Sequence, residues 1–167
     1  FDKRSNALAI DIAPMFDSME ALEGAGAALE AALADPVYRK HLDARYRRQI
    51  VFVGYSESGK QAGVCASRVA AYRAQDAIEA VLTQAGERSI LVHARGGSIA
   101  RGGGRIDTMV TSMPPRTIKG GLRLTEQGEG ITQNYGLGPI ALRTLERAFG
   151  ALAIASATSL EAEVQSV

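Results

Sequence analysis

The stretch QIVFVGYSESGKQAG, Gln49–Gly63, decides the fold. Gln49–Val53 is apolar and β-branched, which reads as a buried strand. Gly54–Lys60 reads as a turn. The spacing beyond it predicts a long helix over Gln61–Gln84, with Val64, Ala66, Val69, Ala70, Ala74, Ala77, Ile78, Val81 and Leu82 on its apolar side and Gly86 closing it. A strand that is apolar throughout and runs at once into a helix is the repeating unit of a parallel sheet.

The same alternation continues on both sides. Upstream, Ala7–Phe16 (ALAIDIAPMF) reads as a buried strand and its exit, and Ser18–Leu33 as an Ala/Leu/Glu helix. Asp35-Pro36 breaks that helix, and Val37–Arg47 reads as a short basic one. Downstream come a strand at Ser89–Val92 (SILV), a glycine-rich loop at His93–Arg105 and a short helix at Ile106–Met113 that Pro114-Pro115 ends. A last strand is expected at Gly121–Thr125 and an Ala/Leu helix at Ile140–Ala157, with a frayed polar tail over 159–167. Four strand–helix units fit two architectures: half of an eight-fold βα (TIM-type) barrel with insertions, or a small doubly wound sheet. The expected class is α/β, predominantly helical, in a single domain over residues 1–167.

Composition narrows the partners. At 46% apolar and 22% charged the chain is ordinary globular material, not a disordered tail or a collagen-like repeat. Lys+Arg number 19 against 18 Asp+Glu, so no global charge draws the chain to nucleic acid or to an anionic membrane. No apolar run approaches the ~20 residues of a membrane span. The first residues, FDKRSNALAI, lack a signal-peptide pattern and a starting Met. The reading is a soluble, cytoplasmic protein, or a piece of one. Cys65, the only cysteine, reads as helix packing and His41 as a surface residue.

Charged residues gather where strands end: Asp17, then Glu57 and Lys60, then His93, Arg95 and Arg101, then Glu126. Gly54–Lys60 matches G-x-x-x-x-G-K, but Gln61 stands where a P-loop needs Ser or Thr. A glycine turn, a helix N-terminus and a lysine still suit an anion. The bland alternative is capping, with Ser58 and Gln61 at capping-box spacing. In His93–Arg105, Gly96, Gly97, Gly102 and Gly103 allow close backbone approach, and Arg95 and Arg101 supply planar grips for phosphate or carboxylate. Asp17 and Glu57 could hold Mg²⁺ or Mn²⁺ beside a phosphate. Asp17 could equally cap its own helix, with Glu20 at box spacing.

Four blocks together resemble phosphoenolpyruvate carboxylase: VGYSESGKQAG (Val53–Gly63), HARGGSIARGGG (His93–Gly104), PPRTIKGGLRLTEQGE (Pro114–Glu129) and PMFDSMEAL (Pro14–Leu22). The resemblance implies a βα barrel with many extra helices, here a partial barrel domain. It implies a lyase that joins phosphoenolpyruvate and bicarbonate to give oxaloacetate and phosphate, with Mg²⁺ or Mn²⁺ as cofactor and a homo-oligomeric, tetrameric assembly. Asp17 and Glu57 fall on the family's metal carboxylates and Lys60 on an active-site lysine. Arg95 and Arg101 fall on the arginines that bind the substrate phosphate and the carboxyphosphate or CO₂. The second of these also touches a dicarboxylate inhibitor in many members. His93 falls on the loop histidine.

The chain departs from the pattern in places. Asp17 stands for the usual Glu, Glu57 for the usual Asp, Ala94 and Ala100 for glycines, Gln61 for an Asp and Arg105 for a Pro. Family members are several times longer, and neither His41 nor His93 matches the catalytic histidine of their N-terminal half. Two readings of different class follow: the catalytic segment of such an enzyme, inactive as the isolated 167-residue piece, or a truncated anion- or partner-binding module. A P-loop-like nucleotide hydrolase is a distant third.

Overall fold

The computed structural model describes residues 10–119 and 121–165, with side chains as far as Thr158. Four strands form one parallel sheet in the order β1-β2-β3-β4: β1 Met15–Phe16, β2 Arg48–Gly54, β3 Arg88–Ala94 and β4 Arg123–Thr125. The β2–β3 register places Val51 beside Leu91 and Val53 beside His93. Spatial order follows chain order, without the reversal that marks a doubly wound sheet.

Seven helices accompany the described strands. They are α1 Met19–Glu23, α2 Ala25–Ala34, α3 Pro36–Ala44, α4 Ser56–Gln84, α5 Ile106–Thr111, α6 Gly128–Tyr135 and α7 Gly138–Gln165. The main core lies between β2–β3 and α1, α2 and α4. Ala70, Ala71, Ala74, Ile78 and Leu82 of α4 close on Val51, Val53 and Leu91, and Leu22, Leu29 and Leu33 fill the outer layer. The alanines let the helix lie close to the sheet. Ile78 and Leu82 are fully buried, each a gain of about 1.5–3 kcal/mol over an exposed side chain. A smaller cluster joins Met109, Val110 and Met113 around α5 to Ile118 and to Ala151 of α7. The rest of α7 leaves Ile140, Leu142, Leu145, Phe149 and Ile154 exposed.

Several elements differ from expectation. The first strand is only Met15–Phe16, because only these residues pair with Phe52 and Val53. Residues 7–9 of the expected strand lie outside the described residues, and Ile10 and Ile12 are exposed. Gly24 divides the Ser18–Leu33 helix into α1 and α2. The Gly54–Lys60 turn is helix from Ser56, and the irregular backbone falls later, at Gly63, where φ is 78° and ψ is 166°. Beyond that kink the buried face runs through Ser67, Ala70, Ala71, Ala74, Gln75, Ile78, Glu79 and Leu82, so Ala66 and Val69 are exposed. Cys65 is exposed as well, not packed. His41 is half-buried, with Nε2 enclosed and unpaired. Helix α6 is an element the sequence reading lacks. The helix expected over Ile140–Ala157 is longer, α7 running on to Gln165 through most of the tail expected to fray, and the side chains of that tail lie outside those described.

Candidate functional site at the strand ends

The turn after β2 is built by exchange with the turn after β1. Asp17 Oδ1 accepts from Glu57 N–H at 3.1 Å, and the Asp17 carbonyl accepts from Ser58 N–H at 2.8 Å. In the other direction Gln61 Oε1 accepts from Met19 N–H at 2.9 Å. Each helix start is therefore capped by a residue about forty positions away. Asp17 is not the cap of its own helix. Ser18 is, accepting from Ala21 N–H at 3.1 Å. Ser58 is not a cap either. It is buried and bonds Ser67 Oγ at 2.8 Å.

This corrects the anion reading of Gly54–Lys60. The N–H groups of Glu57, Ser58 and Gly59 are all taken, the last by the Tyr55 carbonyl at 3.2 Å. An anion at this helix start would have to displace Asp17. Lys60 Nζ pairs with Glu57 Oε2 at 3.2 Å, both exposed. The motif's glycines serve close approach. A Cβ on Gly54 would strike the Asp17 side chain, and one on Gly59 the carbonyl of Ala100. The first turn of α4 thus lies backbone-to-backbone against the arginine loop.

That loop is closed on itself. Gly96 N–H donates to the Arg101 carbonyl at 2.7 Å, and Gly103 N–H to Ser98 at 2.8 Å, around a 3₁₀ turn at Ile99–Arg101. Ala100 sits in that turn and Ala94 in β3, and neither has a positive φ, so the two replaced glycines leave no strain. Arg95 is buried and holds the loop from within. Its Nε donates to Gly102 O at 2.9 Å, Nη2 to Gly104 O at 2.6 Å, and Nη1 to Glu126 Oε1 at 3.3 Å. Three of the guanidinium's five N–H groups are thereby engaged, and the other two have no partner among the described residues. Arg101 is exposed and makes no side-chain hydrogen bond within the described residues. A cavity of about 280 Å³ lies beside the loop, lined by Arg95, Gly96, Gly97, Gly103, Glu126 and Asn134 among others. The second oxygen of Glu126, Oε2, is buried without a partner.

His93 is not in the loop. It is the sixth residue of β3 and is 1% exposed. Its Nδ1 shares a 2.8 Å hydrogen bond with Tyr55 OH. Burial first, and then the nearby Arg95 guanidinium, push its pKa down to about 4, so the ring is neutral. Burial pushes the Tyr55 phenol up to about 12. Tyr135 is also raised, by burial first and then by the Glu126 carboxylate.

The structure thus brings Asp17, Glu57 and Lys60 together at one turn and sets the Arg101 loop against it through Gly59. Arg95 joins the loop to Glu126, and His93 lies beneath. Sequence reasoning passed over Tyr55 and Arg68. Arg68 Nη2 reaches Gly103 O at 3.4 Å from the second turn beyond the Gly63 kink. The available signal for Tyr55 was its place as the first residue after a strand that ends in the site.

Comparison with known proteins gives the family. A family model described as phosphoenolpyruvate carboxylase matches residues 1–166. A phosphoenolpyruvate carboxylase of Xanthomonas euvesicatoria pv. vesicatoria is 43% identical over 152 residues, 91% of this chain and 17% of that protein. Those of Rhodothermus marinus and Proteus mirabilis are 41% and 40% identical over 143 residues, 86% of this chain and 15% and 16% of theirs. The chain spans about a sixth of the length of the relatives it matches.

Proposed function

The chain belongs to the phosphoenolpyruvate carboxylase family, and from that membership we propose that it is the catalytic segment of an enzyme that carboxylates phosphoenolpyruvate with bicarbonate, giving oxaloacetate and phosphate. The observation that carries this reading is the backbone contact between Gly59 and Ala100. It sets two carboxylates and a lysine on one turn against an arginine loop on the next. An anionic substrate that also needs a divalent cation requires that combination.

Among the described residues no group of three or more His, Cys, Asp or Glu converges. Mg²⁺ in phosphoryl chemistry is usually held by one or two carboxylates, with waters and substrate oxygens completing its shell. Asp17 and Glu57 fit that requirement: Asp17 keeps Oδ2 free of the Glu57 N–H, and exposed Glu57 is tied only to Lys60. These two would hold Mg²⁺ or Mn²⁺. When bound, the ion would neutralise phosphate charge and the negative charge that develops on the enolate oxygen.

In the proposed reaction bicarbonate attacks phosphorus, and carboxyphosphate and the enolate of pyruvate result. Carboxyphosphate releases CO₂, which the enolate captures. Arg101 would grip the anion bidentately, and Arg95 would offer its two remaining N–H groups from the loop's interior. Of the four glycines expected to cradle the anion, Gly96, Gly102 and Gly103 spend their N–H groups on the carbonyls of Arg101, Ile99 and Ser98, so among them only the Gly97 N–H would be left to meet it. Lys60 would release Glu57 to the cation and turn to the substrate. Neutral His93 would support the site from below. A dicarboxylate inhibitor would compete at Arg101. We further propose that the parallel sheet is an arc of a βα barrel, that residues 1–167 form a partial barrel domain, and that the complete protein is a cytoplasmic homo-oligomer.

Oxaloacetate formation by the complete polypeptide carrying this segment, coupled to malate dehydrogenase, tests the reading. Activity that needs phosphoenolpyruvate, bicarbonate and Mg²⁺ is expected, and an inactive complete polypeptide would favour the non-catalytic binding module. The isolated 167-residue chain is expected to be inactive, since β1 and β4 pair on one side only.

A further inference from the structure

Tyr55 has no part in the chemistry just described, yet it touches both turns. It follows Gly54 at the end of β2 and precedes the first residue of α4. Only 8% of it is exposed. Gly102 lies flat on it, since a Cβ there would stand 2.6 Å from Tyr55 Cβ and Cγ. Gly102 also has a φ of +81°, so no other residue would follow this path without strain. The phenol and the His93 ring stack with centroids 6.2 Å apart and share the 2.8 Å hydrogen bond at Nδ1.

The consequence is mechanical. Arg101 immediately precedes Gly102. The carbonyls of Gly102 and Gly104 are held by Arg95, and that of Gly103 by Arg68. These grips act on the loop from the β3 and α4 sides. Tyr55 supplies the floor, and its hydroxyl is fixed by a side chain from the neighbouring strand. A tilt of this ring would carry Gly102, and Arg101 with it.

We propose that Tyr55 is a positioning residue of the anion site: its ring supports Gly102, and its bond to His93 Nδ1 fixes the height at which the loop presents Arg101. The inference rests on the proposed reading of the site. It also assigns His93 a role through Nδ1, not through Nε2. Misplacing a substrate-gripping group by a fraction of an ångström lowers turnover without removing any contact to substrate.

The test uses the complete polypeptide, with kcat/KM for phosphoenolpyruvate, the affinity for inorganic phosphate by calorimetry, and the melting temperature measured together. Tyr55→Phe keeps the ring and loses the bond. His93→Asn keeps a polar atom near the Nδ1 position, whereas His93→Gln moves it toward Nε2. Tyr55→Phe and His93→Gln are each expected to lower kcat/KM and phosphate affinity about tenfold. His93→Asn should stay within about threefold of the parent. Tyr55→Phe combined with His93→Gln should be no worse than either alone, because both break one bond.

A Tyr55→Phe protein with parental phosphate affinity overturns the inference, whatever its melting temperature. So does His93→Gln outperforming His93→Asn, which would place the role at Nε2. If Tyr55→Phe fails to fold, the order of the two His93 variants still decides. A parent that neither turns over nor binds phosphate overturns the reading of the site and this inference with it. A parent that binds while Tyr55→Phe is unchanged overturns the inference alone.

Discussion

The turns after β2 and β3 look alike as sequence and differ as structures. Each leaves an apolar strand, carries glycines and basic residues, and suggests a phosphate cradle. After β2, the N–H groups of Glu57, Ser58 and Gly59 are already bound, two of them by Asp17. After β3, Arg95 and the glycines bind one another, while the Arg101 side chain forms no bond within the described residues. A glycine-rich turn at a helix start is an anion site only while its donors lack a partner within the chain. The first turn is a platform that holds carboxylates, and the second exposes the Arg101 guanidinium. They meet where Gly59 touches Ala100.

Arg101→Lys is the sharpest test of that contrast. Lys keeps the charge and loses the bidentate grip. In the complete polypeptide kcat/KM should fall more than about 100-fold, a loss of about 3 kcal/mol of transition-state stabilisation. The melting temperature should not move, because Arg101 is exposed. Arg95→Lys should cost similar activity and stability as well, since one ammonium cannot replace three directed bonds in a buried site. Near-parental turnover in both variants would refute the anion clamp. An unchanged melting temperature in Arg95→Lys would refute the division of labour between the two arginines.

The second test concerns the layer beneath both turns. His93 is held at about 4, below the ordinary value of 6.5. Between those values the unfolded chain binds a proton that the folded chain excludes. Stability should be level above pH 6.5 and fall as pH drops toward 4, by up to about 3 kcal/mol from this group. His93→Asn lacks the titration. The gap between the pH 7 and pH 5 melting temperatures should therefore be larger in the parent than in the variant. Equal gaps would mean that His93 takes up a proton in the folded state, so that the floor of the loop is wet.

Gly59→Ala probes the contact itself. A Cβ there meets a backbone carbonyl, which no side-chain rotation can move. Overpacking of this kind costs about 1–3 kcal/mol. The strain should appear as displacement of the arginine loop, with kcat/KM down about tenfold or more. If the proposed substrate were held by α4's own N–H groups, phosphate affinity would fall while the loop stayed in place. Crystal structures of parent and variant would separate the two outcomes.

Much of the frame was legible because burial on both faces leaves a strong mark. The runs QIVFV and SILV are β2 and β3 apart from their ends. β1 was overread because an apolar run does not reveal how many of its residues find a partner strand. Helix α6, GEGITQNY, buries only Gly130 and carries two glycines, so neither propensity nor periodicity announces it. At the site, the position of each charged group at a strand end was legible, but its state was not. Arg95 and Arg101 sit six residues apart in one glycine-rich loop, and only the folded loop shows that one is buried and the other exposed. The caps were misread for a related reason. Capping-box spacing compares residues three apart, whereas Asp17 and Gln61 cap each other's helices across some forty residues.

The smallest expected effects test what Asp17 is for. Its Oδ1 caps α4, and its charge would help to hold the cation. Asp17→Asn can keep the cap and loses the charge, whereas Asp17→Ala loses both. Removing the cap should cost about 1 kcal/mol, so the melting temperature should fall clearly in Asp17→Ala and little in Asp17→Asn. Mg²⁺-dependent turnover should fall in both. By the resemblance, Asp17 stands one methylene short of the expected Glu and Glu57 one methylene beyond the expected Asp, and a methylene shifts a carboxylate by about 1.5 Å. Because Asp17 also grips the Glu57 N–H, the two lengths are coupled through the backbone as well as through a shared ion. Asp17→Glu crowds Gly54, against which the present side chain already packs. Each single change, Asp17→Glu or Glu57→Asp, should weaken apparent Mg²⁺ affinity, and the double change should recover much of it. A double-mutant cycle read in Mg²⁺ affinity and in melting temperature separates the two couplings. Coupling in affinity alone indicates a shared cation, and coupling in melting temperature alone indicates the cap. Additive behaviour in both would leave Asp17 a cap for α4 and nothing more, and the turn after β2 would lose its claim on the metal.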